Sequence, residues 1–432
     1  MEIRDPVHGS IHIKDEEIPI ITSNFFQRLR TIKQLGFSEY VYPGATHNRY
    51  LHSIGVMSIG TRVFDRLFTP ILEKNSGQRL KKTFKLACLL HDIGHAPLSH
   101  ATESAMPTIS ELKLANKYKS LPSDLNRQAN HEDYTVKAIV DSSLTEKFAM
   151  SSDATGVGPH AIADLITGNT DNLEYFTIDG INYFPILHQL ISSEMDCDRM
   201  DYLLRDSYFC GVSYGNFDLD WMIDNLRVCV IKNDAFLGIS ERAVVTFDDF
   251  LLSRFHMFLQ VYFHYRSVCL EQLLLKYFAS APTEYKIPAD IEQYIEHDDH
   301  FLMKVLRKSN NKYAQAIVAN NIPQKIYESF SEKQLAQLEI IQKYLEQQGV
   351  EYIRCSTSGR LSKYQGETEN SHKYSIHVAR DLYGNDKSLF IEINQATDLF
   401  NKFSKAHAVN RLHCDYNALS NEIKRDIINL IK

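Results

Sequence analysis

Apolar residues recur at helical spacing in several separate blocks of the chain. Phe25, Phe26, Leu29, Ile32 and Leu35 predict a helix capped by Ser23 or Asn24 and stopped by Gly36. A second helix is predicted over residues 48–68, with Leu51, Ile54, Ile59 and Val63 on its apolar face. Phe84, Leu86, Ala87, Leu89 and Leu90 predict a helix drawn into the interior, and it runs straight into His91-Asp92-Ile93-Gly94-His95. Helix is expected again over residues 96–100, from His131 onward, through the segment carrying Asp198, and over residues 246–278, where Thr246 and Asp249 form a capping-box pattern. Between these blocks, residues 10–13 read as a short strand and residues 227–240 as a hairpin turning at Asn233-Asp234. Residues 73–82 and 151–180 read as connectors, and residues 121–124 as a loop excursion. After Ala281-Pro282 the pattern changes to charged helices as far as about residue 348. Strand-like runs follow around residues 350–355, 374–378, 389–393 and 409–414. The expectation is a mainly α fold, with a helical domain over residues 1–280 and a smaller α+β region over residues 281–432.

A length of 432 residues suits about two or three domains. The formal net charge of −7 comes from well-mixed charges, which argues against duplex nucleic acid as the main partner. An anionic substrate would have to be met by local cations. Seven cysteines without a C-x-x-C pair fit reduced thiols rather than a disulfide framework or a zinc ribbon. With no signal-peptide pattern and no apolar run near the roughly 18 residues of a membrane span, a cytoplasmic protein is expected.

The chemistry begins with His91-Asp92 at the end of an apolar helix. An unpaired carboxylate carried into the interior costs several kcal/mol unless something cationic compensates it. A metal ion would do so, whereas the plain alternative is a helix-end hydrogen bond. Neighbouring helical positions diverge by about 100°, so one ion can reach both side chains only near the helix end, where Gly94 stands. Two ligands are too few, and His52 upstream and Asp198 downstream are the candidates to complete the set. Asp198, Tyr202 and Arg205 share a helical face, with Asp206 at its margin. Two imidazoles and two carboxylates suit manganese, iron, zinc or nickel. An open coordination position would activate water and polarise a phosphoryl oxygen, which makes phosphoester hydrolysis the natural reaction class.

These residues, together with Phe26-Gln27-Arg28-Leu29-Arg30, Ile32-Lys33-Gln34-Leu35-Gly36, Pro43-Gly44-Ala45-Thr46-His47-Asn48-Arg49 and Asp201-Tyr202-Leu203-Leu204-Arg205-Asp206, resemble the HD-domain phosphohydrolases, specifically their deoxynucleoside triphosphate triphosphohydrolase branch. The resemblance covers residues 5–278 and is weak beyond residue 281. It implies a helical HD core and hydrolysis of a deoxynucleoside triphosphate to deoxynucleoside and tripolyphosphate. It also implies metal ligation by His52, His91, Asp92 and Asp198, and magnesium on the outer phosphates. By the same resemblance His95, His100 and His131 would surround the α-phosphate. His100 would protonate the leaving oxygen, with Glu103 or Glu132 orienting the imidazoles. Arg49, Arg199 and Arg254 would meet the phosphates, Arg199 standing where the family has lysine. Tyr202 and Asp206 would meet the sugar 3′-hydroxyl, Tyr262 would pack where a 2′-hydroxyl would clash, and Gln34 with Leu35 would flank sugar and base. In effector-regulated relatives an Asp-Gln-Arg set reads a guanine nucleotide. Gln27 and Arg30 match it, but Thr22 replaces the aspartate and cannot accept two hydrogen bonds from a guanine edge as a carboxylate does. Dimers or tetramers are implied by analogy. Two other functions fit the His-Asp pair: a phosphodiesterase or phosphatase acting on another nucleotide or on nucleic-acid ends, and a non-catalytic nucleotide-binding regulator.

Overall fold

The computed structural model describes residues 1–118, 126–151, 156–359, 375–380, 389–399 and 407–431, so the loop expected at residues 121–124 lies outside the described residues. Two helices form the centre. Arg49–Leu67 starts where the Asn48 side chain accepts the backbone N–H of Leu51 at 3.1 Å, and Asn75–Leu90 packs along it with Phe84 against Phe64. Cys197–Cys210 crosses the first of these, begun by the Asp196 side chain and ended by Gly211 in the left-handed conformation at φ +69°. His131–Val140 is set by a reciprocal cap between Asn130 and Asp133. Arg49–Leu67 and His131–Val140 begin within a residue of their expected starts, whereas Asn75–Leu90 takes in most of the stretch over residues 73–82 that reads as a connector, because its first turns pack against the neighbouring helix.

Elsewhere tertiary contacts override the local pattern. The helix expected over residues 25–35 is α-helical only at Asn24–Arg28 and continues as a 3-10 turn, Leu29–Thr31. Ile32 is extended, and Lys33 pairs with Asn48 while its N–H is taken by the Asp299 carboxylate at 3.0 Å. The helix expected over residues 246–278 has no Thr246 capping box. It begins at Val244, passes through a π turn at Phe258–Tyr262, and restarts as Tyr265–Ser280 with His264 as its cap. The stretch after Ala96 is a 3-10 helix, Ser99–Ala105. The connector over residues 151–180 holds a helix, Pro159–Thr167, and residues read as part of a charged helix form a strand, Gln324–Ser329. The hairpin joins Leu226–Ile231 to Asp234–Ser240. It turns one residue early, with Lys232 and Asn233 both left-handed, as a tight hairpin requires.

Strand Asp234–Ser240 pairs in parallel with His377–Arg380, which pairs antiparallel with Leu389–Glu392. A second sheet places His407–Cys414 between Gln324–Ser329 and Tyr352–Gly359, all antiparallel. One apolar core runs through both halves of the chain, from Ile11 to Ile393, and takes in Ile291, Leu302, Ile317 and Ile353. A small separate cluster, Leu338, Ile341, Leu345, Leu412 and Ile427, lies under helices Glu332–Gln347 and Asn421–Ile431. No helix among the described residues is long and apolar enough to cross a membrane.

Candidate active site

His52 stands one turn into helix Arg49–Leu67, His91 caps the end of Asn75–Leu90, and Asp198 is the second residue of Cys197–Cys210. The fold brings all three together with Asp92. His52 Nε2 lies 2.9 Å from Asp198 Oδ1 and 3.4 Å from Asp92 Oδ2, while His91 Nε2 lies 3.4 Å from Asp92 Oδ1 and 3.5 Å from Asp198 Oδ1. Two glycines permit the approach. A Cβ on Gly55 would collide with the side chains of Asp201 and Arg205, and one on Gly94 with the backbone of His131 and Thr135.

Each imidazole is held by its other nitrogen. His52 Nδ1 donates to Asp201 Oδ2 at 2.7 Å and His91 Nδ1 to the Cys88 carbonyl at 2.9 Å, which turns both Nε2 atoms inward as lone-pair donors. Both Nε2 atoms are buried without a hydrogen-bond partner. Burial opposes charge on His52, yet the Asp198 and Asp201 carboxylates outweigh it and raise its pKa to about 10; His91 is raised for the same kind of reason by Asp92 and Asp198. The constellation thus demands positive charge at its centre, and its nitrogen and oxygen donors fit a divalent transition metal. Asp92 also pairs with Arg49. Burial acts against its ionisation, but Arg49, His91 and His52 hold its pKa at about 2.

Beside this set lies the second histidine group. The ring centroids of His95, His100 and His131 are 4.0 to 5.0 Å apart. Glu103 Oε1 accepts from His131 Nδ1 at 2.5 Å and from His100 Nδ1 at 3.1 Å; burial resists its ionisation, but these two imidazoles hold it well below the usual carboxylate range. His95 is fully buried, its Nε2 has no partner, and burial together with the nearby Arg49 guanidinium and the neighbouring imidazoles pushes its pKa well down, which favours the neutral ring. His100 is delivered by Leu98 and Ser99, both at left-handed φ near +60°. Asp299 holds that strained turn by accepting the Leu98 N–H at 2.7 Å.

Gln34, Leu35, Arg49, Tyr202, Asp206 and Tyr262 all line one cavity of about 450 Å³, with His100 in its wall. At one side Asp206 accepts from Tyr262 Oη and from His47 Nε2, each at 2.7 Å, and the His47 ring stacks on Phe209.

Three expected site residues are placed differently. Glu132 is exposed and lines another cavity with Lys117 and Arg127, so of the two glutamates Glu103 is the one bonded to His100 and His131. Arg199 and Arg254 are not among the walls of the 450 Å³ cavity; both turn to the buried Glu194, at 3.4 and 3.1 Å, because that carboxylate requires a cation. Gln27 and Arg30 bond to each other at 2.8 Å, with Arg30 over the Tyr50 ring. Sequence reasoning missed Asp201, His47, Asp299 and Glu271. Asp201 carried a signal, since it follows Asp198 by three residues on one helix.

The HD domain family matches residues 49–206, which include every ligand of the proposed metal set and every histidine of the second group. Residues 49–206 of this chain form an HD domain. This HD-domain chain is 34% identical over 274 residues to the uncharacterized protein YwfO of Bacillus subtilis, an alignment covering 63% of this chain and 54% of that one. It is 25% identical over 334 residues to human deoxynucleoside triphosphate triphosphohydrolase SAMHD1, covering 73% of this chain and 52% of that one. The HD-domain chain thus spans little more than half the length of these relatives. A crystal structure of a hypothetical protein from Aquifex aeolicus superposes over 100% of both chains with a TM-score of 0.73 at 25% identity.

Proposed function

We propose that the protein is a metal-dependent hydrolase of deoxynucleoside triphosphates, releasing deoxynucleoside and tripolyphosphate. The observation that carries this is the Tyr262–Asp206–His47 chain in the wall of the cavity that also exposes Arg49 and His100. A fixed carboxylate flanked by a phenol is suited to a sugar hydroxyl, with phosphate chemistry a cavity's width away. The likeness to proteins named as deoxynucleoside triphosphate triphosphohydrolases supports the same substrate class.

In this reading His52, His91, Asp92 and Asp198 hold manganese, iron, zinc or nickel, and magnesium accompanies the outer phosphates. The bound transition metal supplies an activated water and polarises the phosphoryl oxygen. Arg49, already beside Asp92, neutralises phosphate charge. His95, neutral, presents its free Nε2 as a hydrogen-bond partner to the phosphoryl group. His100, held through Nδ1 by Glu103, offers its other nitrogen to protonate the leaving 5′-oxygen, and His131 shares the same carboxylate. Tyr202 and Asp206 bind the 3′-hydroxyl, the Tyr262 ring excludes a 2′-hydroxyl, and Gln34 with Leu35 flank sugar and base. Self-association to a dimer or tetramer, and a nucleotide effector at Gln27 and Arg30, belong to the same proposal.

The test is incubation of the purified chain with each deoxynucleotide and with ribonucleotide, monophosphate and single-stranded DNA controls, in manganese and in magnesium. Tripolyphosphate from deoxynucleotides, abolished in His91→Ala, is expected. Release of orthophosphate or cleavage of DNA instead would replace this substrate assignment.

A further inference from the structure

Away from the HD centre, three metal-ligating side chains meet in the core. Cys269 comes from helix Tyr265–Ser280, Cys355 from strand Tyr352–Gly359 and His413 from strand His407–Cys414, and all three residues are fully buried. One ligand atom from each lies within 4.8 Å of the others. On the sheet, Cys355 sits opposite Arg411 and His413 opposite Ile353, so Cys355 and His413 are diagonal neighbours on one face. A bulge at Leu412/His413 breaks the register with the other neighbouring strand, as bulges do where a side chain is re-aimed.

The histidine is prepared as a ligand. His413 Nδ1 donates to the Pro323 carbonyl at 3.1 Å, which makes Nε2 the lone-pair nitrogen, and Nε2 is buried with no hydrogen-bond partner. We propose that Cys269, Cys355 and His413 bind one divalent zinc-class cation. Two thiolates and a neutral imidazole suit zinc more than a hard cation, and they balance its charge, so the loaded site leaves no net charge in the apolar core. Loading expels the two thiol protons to solvent, and three protein ligands leave the fourth position to water. His413 also borders a cavity of about 360 Å³. The ion would tie the C-terminal sheet to the helix whose Glu271, Gln272 and Leu275 wall the nucleotide-sized cavity.

The test uses the full chain, reduced, stripped with chelator and titrated with cobalt(II). A thiolate-to-cobalt charge-transfer band in the near ultraviolet reports this site alone of the two, because the HD set has no sulfur donor. The band should saturate at one equivalent bound to sulfur, vanish on adding zinc, persist in His91→Ala and be lost in Cys355→Ser and weakened in His413→Gln. Absence of the band from the wild-type chain at saturating cobalt would overturn the proposal, whatever the variants do. So would its persistence in Cys355→Ser, or mass spectrometry showing a Cys269–Cys355 disulfide that, once reduced, takes up no metal.

Discussion

Glu271 offers the sharpest test of how the cavity is built. It sits on helix Tyr265–Ser280 among the buried residues Val268, Leu270 and Leu274, faces the 450 Å³ cavity, and has no hydrogen-bond or ion-pair partner among the described residues. Burial alone pushes its pKa from 4.5 to about 7. The folded state therefore holds a proton that the unfolded chain has released between those two values, and this contribution to stability is lost as pH rises from about 4.5 through 7. A displacement of that size corresponds to at most ~3 kcal/mol, and water in the cavity reduces it to about 1–3 kcal/mol. Glu271→Gln keeps the shape and removes the titration. Urea unfolding of both proteins at pH 5 and pH 8 should show the variant gaining about 1–3 kcal/mol on the wild type as pH increases. Other titrating groups, including the HD set, cancel in that difference if they do not couple to position 271. Parallel pH dependences would refute the reasoning, because they would mean that water or an opposite charge solvates the carboxylate in the folded protein.

Asp201→Asn should weaken metal binding by about 10- to 100-fold, since it loosens the hold on His52 Nδ1; metal content after dialysis against graded chelator measures it. Gly94→Ala should destabilise the fold by about 1–3 kcal/mol, read as a lower urea midpoint, because the added methyl meets backbone of helix His131–Val140. If the substrate proposal holds, Tyr262→Phe should lower kcat/KM for deoxynucleotides by about 10-fold through loss of its bond to Asp206, while the ring keeps ribonucleotides poor substrates; a steady-state comparison of the two sugars checks both halves. Arg254→Met should remove one of the cations that face the buried Glu194 and cost about 1–3 kcal/mol of stability, with a smaller effect on KM than Arg49→Met if Arg49 is the phosphate contact.

Helices were legible where a cap and an apolar face agree, as in Arg49–Leu67 behind Asn48 and His131–Val140 behind Asn130. They were misread where a distant group takes over a backbone bond. Asp299 captures the N–H groups of both Lys33 and Leu98, so it ends one expected helix early and forces the left-handed turn before His100. Nothing within a helical window around residue 33 announces a carboxylate 266 positions away. The π turn at Phe258–Tyr262 was hidden for the opposite reason. Its residues are apolar and continue the helical pattern, and the extra residue shows only as the placement of Tyr262 against Asp206.

The same contrast governs the site. The proposed metal set was readable because His91-Asp92 is adjacent in sequence at the end of an apolar helix, and few uses other than a cation justify drawing such a pair inside. The groups that hold the set in place were not readable. Asp201 bonds to His52, to His8 and to Arg205, and Arg205 continues to Asp5, a network that is buried except at the half-buried His8 and spans up to 200 residues of chain. With 54 acidic and 47 basic side chains available, sequence alone offers far too many pairings to select this one. Its effect is nevertheless specific: two of the carboxylate's partners, Arg205 and His8, fix Asp201 so that it can fix His52. The N-terminal segment carrying Asp5 and His8 therefore belongs to the mechanical support of the HD centre, although it contributes no ligand to it.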